Sequence, residues 1–205
     1  MARPREFNPD EALSSAMNLF WRKGYFDTSV DELVKETGVN RKGLYTVFGS
    51  KHKLFLSSLL LYRKQIISMI MEPLDNINAG RDEISATFAL AVSLATASKM
   101  GIGCLMCNSA LEVAPVDAET QEILHSYFSF LAKQFQKALQ NAQDSGQIDS
   151  SADIEKLANH LVGLLHTIPF FARSKAPTKF IKDTVEVGLE ACGIKTQKVD
   201  EIMPV

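Results

Sequence analysis

The sequence predicts an all-α protein: a small N-terminal three-helix head in the helix-turn-helix pattern, plus a larger helical body, about nine helices in all. Three observations carry this. Apolar residues recur at three- and four-residue spacing along most of the chain. No stretch alternates convincingly with period two. Glycines, prolines and capping residues fall between the periodic segments.

The first helix is expected over Asn8 to Lys23, with Leu13, Ala16, Met17 and Phe20 on one face and Ser14, Asn18 and Arg22 opposite. Gly24 stops it. Thr28 caps a short helix holding Val30, Leu33 and Val34, which Gly38 ends. Asn40 caps a second short helix carrying Leu44 and Phe48, and Gly49 breaks it. Ser50 then caps a long helix from Lys51 to about Met71. Pro73, Asn76, Asn78 and Gly80 mark a junction. The head is therefore residues 1–53, continuing into a linking helix over 51–72.

The body spans 54–194, with 195–205 as a frayed tail. A helix from Arg81 to Ser98 carries Ile84, Phe88 and Val92 in register. Gly101 and Gly103 interrupt it, and a short helix follows from Cys104 to Val113. Asp117 is an N-cap for the most regular helix of the chain, in which Leu124, Tyr127, Phe128, Leu131, Phe135, Leu139 and Ala142 share a face. Ser145-Gly146 ends it. Ser150 with Asp153 resembles a capping box for a helix through Ile154, Leu157, Leu161, Leu165 and Ile168, which Pro169 should kink or end. Pro177 opens the last helix, Thr178 to about Ala191, and Gly193 stops it.

Composition narrows the function. A hydrophobic content of 46% supports a real core and argues against disorder. Net charge is −2, but residues 1–64 hold eleven Lys and Arg against seven Asp and Glu, a balance of +4. The rest carries −6, so a mildly basic head sits on an acidic body, as suits a nucleic-acid-contacting end. Met1–Phe7 is polar and does not read as a signal peptide, and no apolar run reaches about 18 residues, so no membrane span is expected. Three cysteines without a secretion signal point to a reducing cytoplasm.

The informative stretch is Thr28 to Phe55, TSVDELVKETGVNRKGLYTVFGSKHKLF. Two short helices meet at a tight turn and a longer helix follows almost at once, the economy a helix-turn-helix needs. Val30, Leu33, Val34, Val39, Leu44 and Phe48 hold the pair together. Asn40, Arg41, Lys42, Gly43, Tyr45 and Thr46 remain for the outer face, and are polar, basic or aromatic, as groove contact requires. Lys51 and the helix N-terminus at Ser50 favour a phosphate. His52 stands beside Lys51 and touches phosphate or is solvated.

Over about residues 7–60 the order of features resembles the TetR family head: an amphipathic first helix ending in FWRKGY, then TSVDELVKETGV, then LYTVFGSKHKLF. The resemblance implies a homodimeric repressor bound to near-palindromic double-stranded operator DNA and released by a small-molecule effector. It gives Tyr45 a place at the DNA backbone or bases and Lys51 a phosphate. It has Thr28, with Ser29 beside it, cap the second helix and donate to phosphate. Many members carry a glycine or alanine and then a small hydroxyl residue before the leucine-tyrosine pair, where this chain has Lys42 and Gly43. The resemblance also makes the last two helices, about 151–172 and 177–191, a four-helix dimer interface, with Leu157, Leu161, Leu164, Leu165, Ile168, Phe170, Phe171, Val185 and Leu189 as candidates. It sets a ligand cavity among the middle helices, with Tyr62, Ile66, Phe88, Cys104, Met106, Cys107, Asn108, Phe128, Phe135 and His166 as lining candidates.

Cys104 and Cys107 form a C-x-x-C at a helix start, where the dipole stabilises a thiolate, so a redox or electrophile sensor is an alternative to plain packing or a metal site. An enzyme is not expected, because no G-x-S-x-G, P-loop, G-x-G-x-x-G or H-E-x-x-H occurs. His52, His125, His160 and His166 form no metal spacing, and no cofactor is implied. A helical adaptor that binds protein and not DNA is the alternative of another class.

Overall fold

A computed structural model describes residues 7–97 and 101–195. Every regular element among them is helical. The α-helices are α1 (Pro9–Lys23), α2 (Val30–Thr37), α3 (Arg41–Phe48), α4 (Lys51–Tyr62), α5 (Ser68–Met71), α6 (Arg81–Ala97), α7 (Leu105–Glu112), α8 (Ala118–Asp144), α9 (Ile154–Arg173) and α10 (Thr178–Glu190). A π-helical turn, Arg63–Ile67, joins α4 to α5, and a 3-10 turn, Glu72–Asp75, extends α5. Taken as one rod, Lys51–Asp75 brings the count among the described residues to nine, as expected. Ser98 and the tail beyond Lys195 lie outside the described residues.

Two compact units result. The first holds the chain up to Ile66 together with Cys104–His125. Its core is built from Ala16, Met17, Phe20, Leu33, Leu44, Leu54, Phe55 and Leu59, all buried. Phe20 and Phe55 meet edge to face at 5.3 Å between centroids. Burying each such side chain contributes about 1.5–3 kcal/mol. The second unit holds Ile67–Gly103 and the chain from Ser126 onward. There Phe88 stacks on Phe135 at 5.9 Å, and Leu131, Leu139, Leu161, Ile168, Ile181 and Leu189 are buried around them.

Several local expectations need correction. Ser29, not Thr28, caps α2: its side chain accepts the Glu32 N–H, and Glu32 returns to the Ser29 backbone in a full capping box. Thr28 is buried and its hydroxyl donates to the Gly24 carbonyl at 2.6 Å, so it is committed inward. Asp153, not Ser150, caps α9 by accepting the Lys156 N–H. Pro169 lies inside α9, which runs on to Arg173. It sits within the last turn, so it removes only the bond to the carbonyl four residues back, and the helix closes through Ser174 N–H on Phe170. By length and composition alone, Lys51–Asp75 could cross a membrane, since an 18-residue window within its 25 residues has a mean hydropathy of 1.3. Its Leu54, Phe55, Leu59 and Tyr62 are nevertheless buried, as in a core helix.

Candidate nucleic-acid interface

Helix α3 is short and sharply two-faced. Its Leu44 is 1% exposed and anchors it to the unit's core. Asn40, Arg41, Lys42 and Thr46 are exposed, and Gly43 and Tyr45 are half-buried. Asn40 Oδ1 caps the helix by accepting the Gly43 N–H at 2.8 Å, which commits that oxygen. Thr46 donates to the Lys42 carbonyl. The Arg41 guanidinium lies 5.4 Å from the Tyr45 ring centroid. Gly43 has a reason inside the fold: a Cβ there would stand 3.0 Å from Val39 Cγ1 and 3.4 Å from Phe7 Cε1.

The start of α4 brings more cations together. Ser50 caps the helix by accepting the Lys53 N–H. The Lys51 ammonium lies 4.4 Å over the Tyr25 ring. Burial pushes its pKa below the ordinary lysine value, while the charges of Glu112, Asp27 and Glu32 pull it back up. His52 Nε2 lies 3.1 Å from Asp117 Oδ1. Hydrogen bonding from Thr120, with the His52 ring adding to it, holds the Asp117 carboxyl below its usual range. Lys53 pairs with Glu119. Tyr25 and Glu112 were not singled out from the sequence, and Asp117 was read there as a helix cap alone. Tyr25 closes the FWRKGY segment and so left a signal; Glu112 reaches the head across 86 residues of sequence and left none.

Residues 12–57 match the sequence family described as bacterial regulatory proteins, tetR family, and residues 80–182 match the tetracyclin repressor-like C-terminal domain. YezE of Bacillus subtilis, an uncharacterized HTH-type transcriptional regulator, is 30% identical over 194 residues, covering 92% of this chain and 98% of its own. The chain belongs to the TetR family. It is a helix-turn-helix transcriptional regulator. The HTH-type transcriptional repressor ComR of Escherichia coli is 29% identical over 85% of this chain and 83% of its own. Among solved structures, a cysteine mutant of the TetR family transcriptional regulator CifR, complexed with a 26-bp double-strand operator DNA, is similar with a TM-score of 0.82. It is 27% identical, and the match covers 92% of this chain and 99% of that one.

The candidate effector residues of this TetR-family chain come from both units. In the second unit, Tyr127 Oη and His166 Nε2 are 3.0 Å apart, and His166 Nδ1 lies 2.6 Å from the Val162 carbonyl. The Nδ1–H donating to Val162 leaves Nε2 to accept from Tyr127. Phe128 lies 5.3 Å from the same imidazole. Phe88 and Phe135 are buried against each other. In the first unit, Tyr62 is buried edge-on to Trp21, Cys104 and Met106 are buried, and Ile66, Cys107 and Asn108 are half-buried.

The Cys107 thiol does not behave as the dipole argument expects. Cys104 stands at the N-cap of α7 and makes no capping bond to the helix backbone. Its hydrogen bond to Cys107, together with burial, pushes the Cys107 thiol well above the ordinary value, so the neutral form is favoured. Among the described residues, no three His, Cys, Asp or Glu side chains are placed to share a metal ion. On α10, Val185 and Leu189 are buried within one copy, as are Leu161, Leu164, Leu165 and Ile168 on α9, while Leu157 and Phe171 are half-buried. The exposed large apolar side chains of α9 and α10 are Phe170, Phe180 and Val187, at 59%, 49% and 66% exposure.

Proposed function

We propose that this regulator is a dimeric repressor that reads a near-palindromic operator with α3 and the start of α4, and that an effector in the body releases it. The reading is carried by one observation. Arg41, Lys42 and Thr46 project outward from a helix whose single buried side chain, Leu44, fixes it to a rigid frame. Arg41 and Lys42 supply base-edge or groove contacts. Tyr45, Thr46 and Ser29 reach the backbone beside them, and Gly43 keeps that surface low. Lys51 and His52, at the N-terminus of α4, take a phosphate. Asn40 acts as the cap and contributes its amide N–H groups. Residues 1–53 then form the DNA-binding head, 51–72 the linking helix and 54–194 the regulatory and dimerisation region, working in the cytoplasm where operator DNA is.

A head of this size alone binds too weakly to select a sequence, so two copies act one helical turn of DNA apart. Phe170, Phe180 and Val187 supply an apolar face for a second copy. Gly163, on the exposed side of α9, has nothing within 4 Å of the position a Cβ would take, which leaves room for close approach. Among the effector candidates, the Tyr127–His166 pair offers a polar handle beside Phe128. An effector shifts the equilibrium only by its differential affinity for the bound and released states. Selection of bound fragments from genomic DNA, followed by gel shifts across salt concentrations, tests the reading. Sequence-selective, salt-dependent shifts are expected. A protein that ignores every duplex at low ionic strength would refute it and favour an adaptor.

A further inference from the structure

The turn between α1 and α2 is held by a side chain from far along the sequence. Glu112, the last residue of α7, inserts its carboxylate there. Its Oε1 accepts the Phe26 N–H at 2.7 Å. A Cβ on Gly24 would stand 2.5 Å from Oε2 and 2.9 Å from Oε1. Gly24 also has φ +88, so its lack of a side chain serves both the turn and the carboxylate. Tyr25 lies between these two anchored residues. Its ring packs on Phe20, Phe26 and Phe55, and carries the Lys51 ammonium at 4.4 Å. The physical sequence is thus Glu112 carboxylate, turn backbone, Tyr25 ring, Lys51 ammonium, all within one compact unit.

We infer that Glu112 is a positioning residue: through the turn and Tyr25 it holds Lys51 where a DNA phosphate can be met, and so couples α7 to operator affinity. The inference rests on the reading of Lys51 as a phosphate contact. The bond is charge-assisted, and it is made to backbone, so it fixes the chain itself and not a mobile side chain. The other carboxylates on the head act differently. Glu119 and Lys53 are both more than half exposed, and such a pair contributes little. Helix α7 has eight residues, and Asn108 lies one turn before Glu112 on the same face. A displacement of α7 at Asn108 therefore reaches the turn as a rigid shift of the carboxylate.

The test uses full-length protein and a duplex recovered from selected genomic fragments. Operator affinity is measured against salt for wild type, Lys51→Ala, Glu112→Ala, Glu112→Gln and the Glu112→Ala/Lys51→Ala double variant. One lost phosphate contact lowers the salt slope by about 0.9, so between 50 and 200 mM salt each lost contact spares roughly a threefold drop in affinity. Glu112→Ala is expected to reproduce the Lys51→Ala slope, and the double variant to add nothing further. Glu112→Gln keeps a carbonyl to accept the Phe26 N–H and should retain the wild-type slope. A folded Glu112→Ala with wild-type slope would overturn the inference, as would losses that add in the double variant. Glu112→Gln with a slope as low as Lys51→Ala would overturn it too, whether or not the alanine variant folds, because charge and not position would then be at work. If Lys51→Ala itself leaves the slope unchanged while wild type binds selectively, the fault lies in the phosphate assignment, and the two failures stay distinct.

Discussion

Replacing Phe180 with serine should take the dimer apart while leaving each copy folded. Phe180 sits on α10 at 49% exposure, and its ring meets Phe171 edge to face at 4.9 Å. A phenylalanine offers roughly 200 Å² of surface, so about 100 Å² remains for a partner to cover. At about 25 cal/mol per Å² that is worth about 2.5 kcal/mol per copy, and twofold symmetry doubles it to about 5 kcal/mol. This is an upper bound, because ordering at the interface subtracts from it. Even half of it raises the dimer dissociation constant by more than about fiftyfold. Within one copy the loss is smaller, roughly 0.5–1.5 kcal/mol for the ring pair with Phe171. Sedimentation velocity across a concentration series reads the outcome. Wild type should stay dimeric at concentrations where Phe180→Ser is monomeric with an unchanged helical circular dichroism spectrum. Val116→Ser is the control, since Val116 is a bare apolar residue, 75% exposed, in the other unit. If Phe180→Ser remains dimeric wherever wild type does, or if Val116→Ser dissociates as readily, the face has been misassigned.

Other expectations follow from the same geometry. Arg41→Ala should cost about 1–3 kcal/mol on the selected duplex and far less on random DNA, read by competition gel shift; equal losses on both would remove its base-reading role. Gly188→Ala should destabilise the protein by about 1–3 kcal/mol through overpacking. Its Cβ would fall 2.6 Å from Leu164 Cδ2 where α9 and α10 cross, and a melting temperature equal to wild type would contradict that. Glu32 is held down to about 2, first by its hydrogen bond from Lys23 and then by Ser29. A depressed carboxylate stabilises the fold above its ordinary pKa of 4.5 and loses that contribution as pH falls through about 2. The melting difference between wild type and Glu32→Gln should therefore be present near neutral pH and vanish across that acid window; a constant difference would refute it.

What the sequence revealed, and what it hid, divides along physical lines. The long helix Ala118–Asp144 was legible because Leu124, Tyr127, Leu131, Phe135, Leu139 and Ala142 keep one period over about five turns, and all of them are buried. The head was legible because caps and glycines punctuate it at short intervals. Adjacent hydroxyls were not separable: Thr28 and Ser29 can each cap, and only the Gly24 carbonyl, which takes the Thr28 proton, leaves the cap to Ser29. On α10 two apolar sets interleave, and periodicity alone could not say that Val185 and Leu189 turn inward while Phe180 and Val187 remain outside. The π-helical turn at Arg63–Ile67 has no residue signature. The Cys107 thiol illustrates a further limit, since a helix start favours a thiolate, yet contact with Cys104 and burial reverse the direction.

The cations of the head differ in what they must give up to meet a phosphate. Among the described residues, Arg41 and Lys42 stand in no ion pair, so their charge is available at the cost of solvent and side-chain freedom alone. Lys53 must leave Glu119, an exposed pair that salt already weakens. His52 is held by Asp117, which also caps α8 through the Thr120 N–H, so moving His52 disturbs a helix terminus. Lys51 needs no such release, because the Tyr25 ring attracts its ammonium without neutralising it. A ring under a cation orients the charge and leaves its far side open to an anion. Of the basic residues near the start of α4, Lys51 is thus the one whose free-state partner and a DNA phosphate can be satisfied together. That compatibility is why the turn carrying Tyr25, and not the ion pairs around it, is the place where a shift in α7 would be felt as a change in affinity.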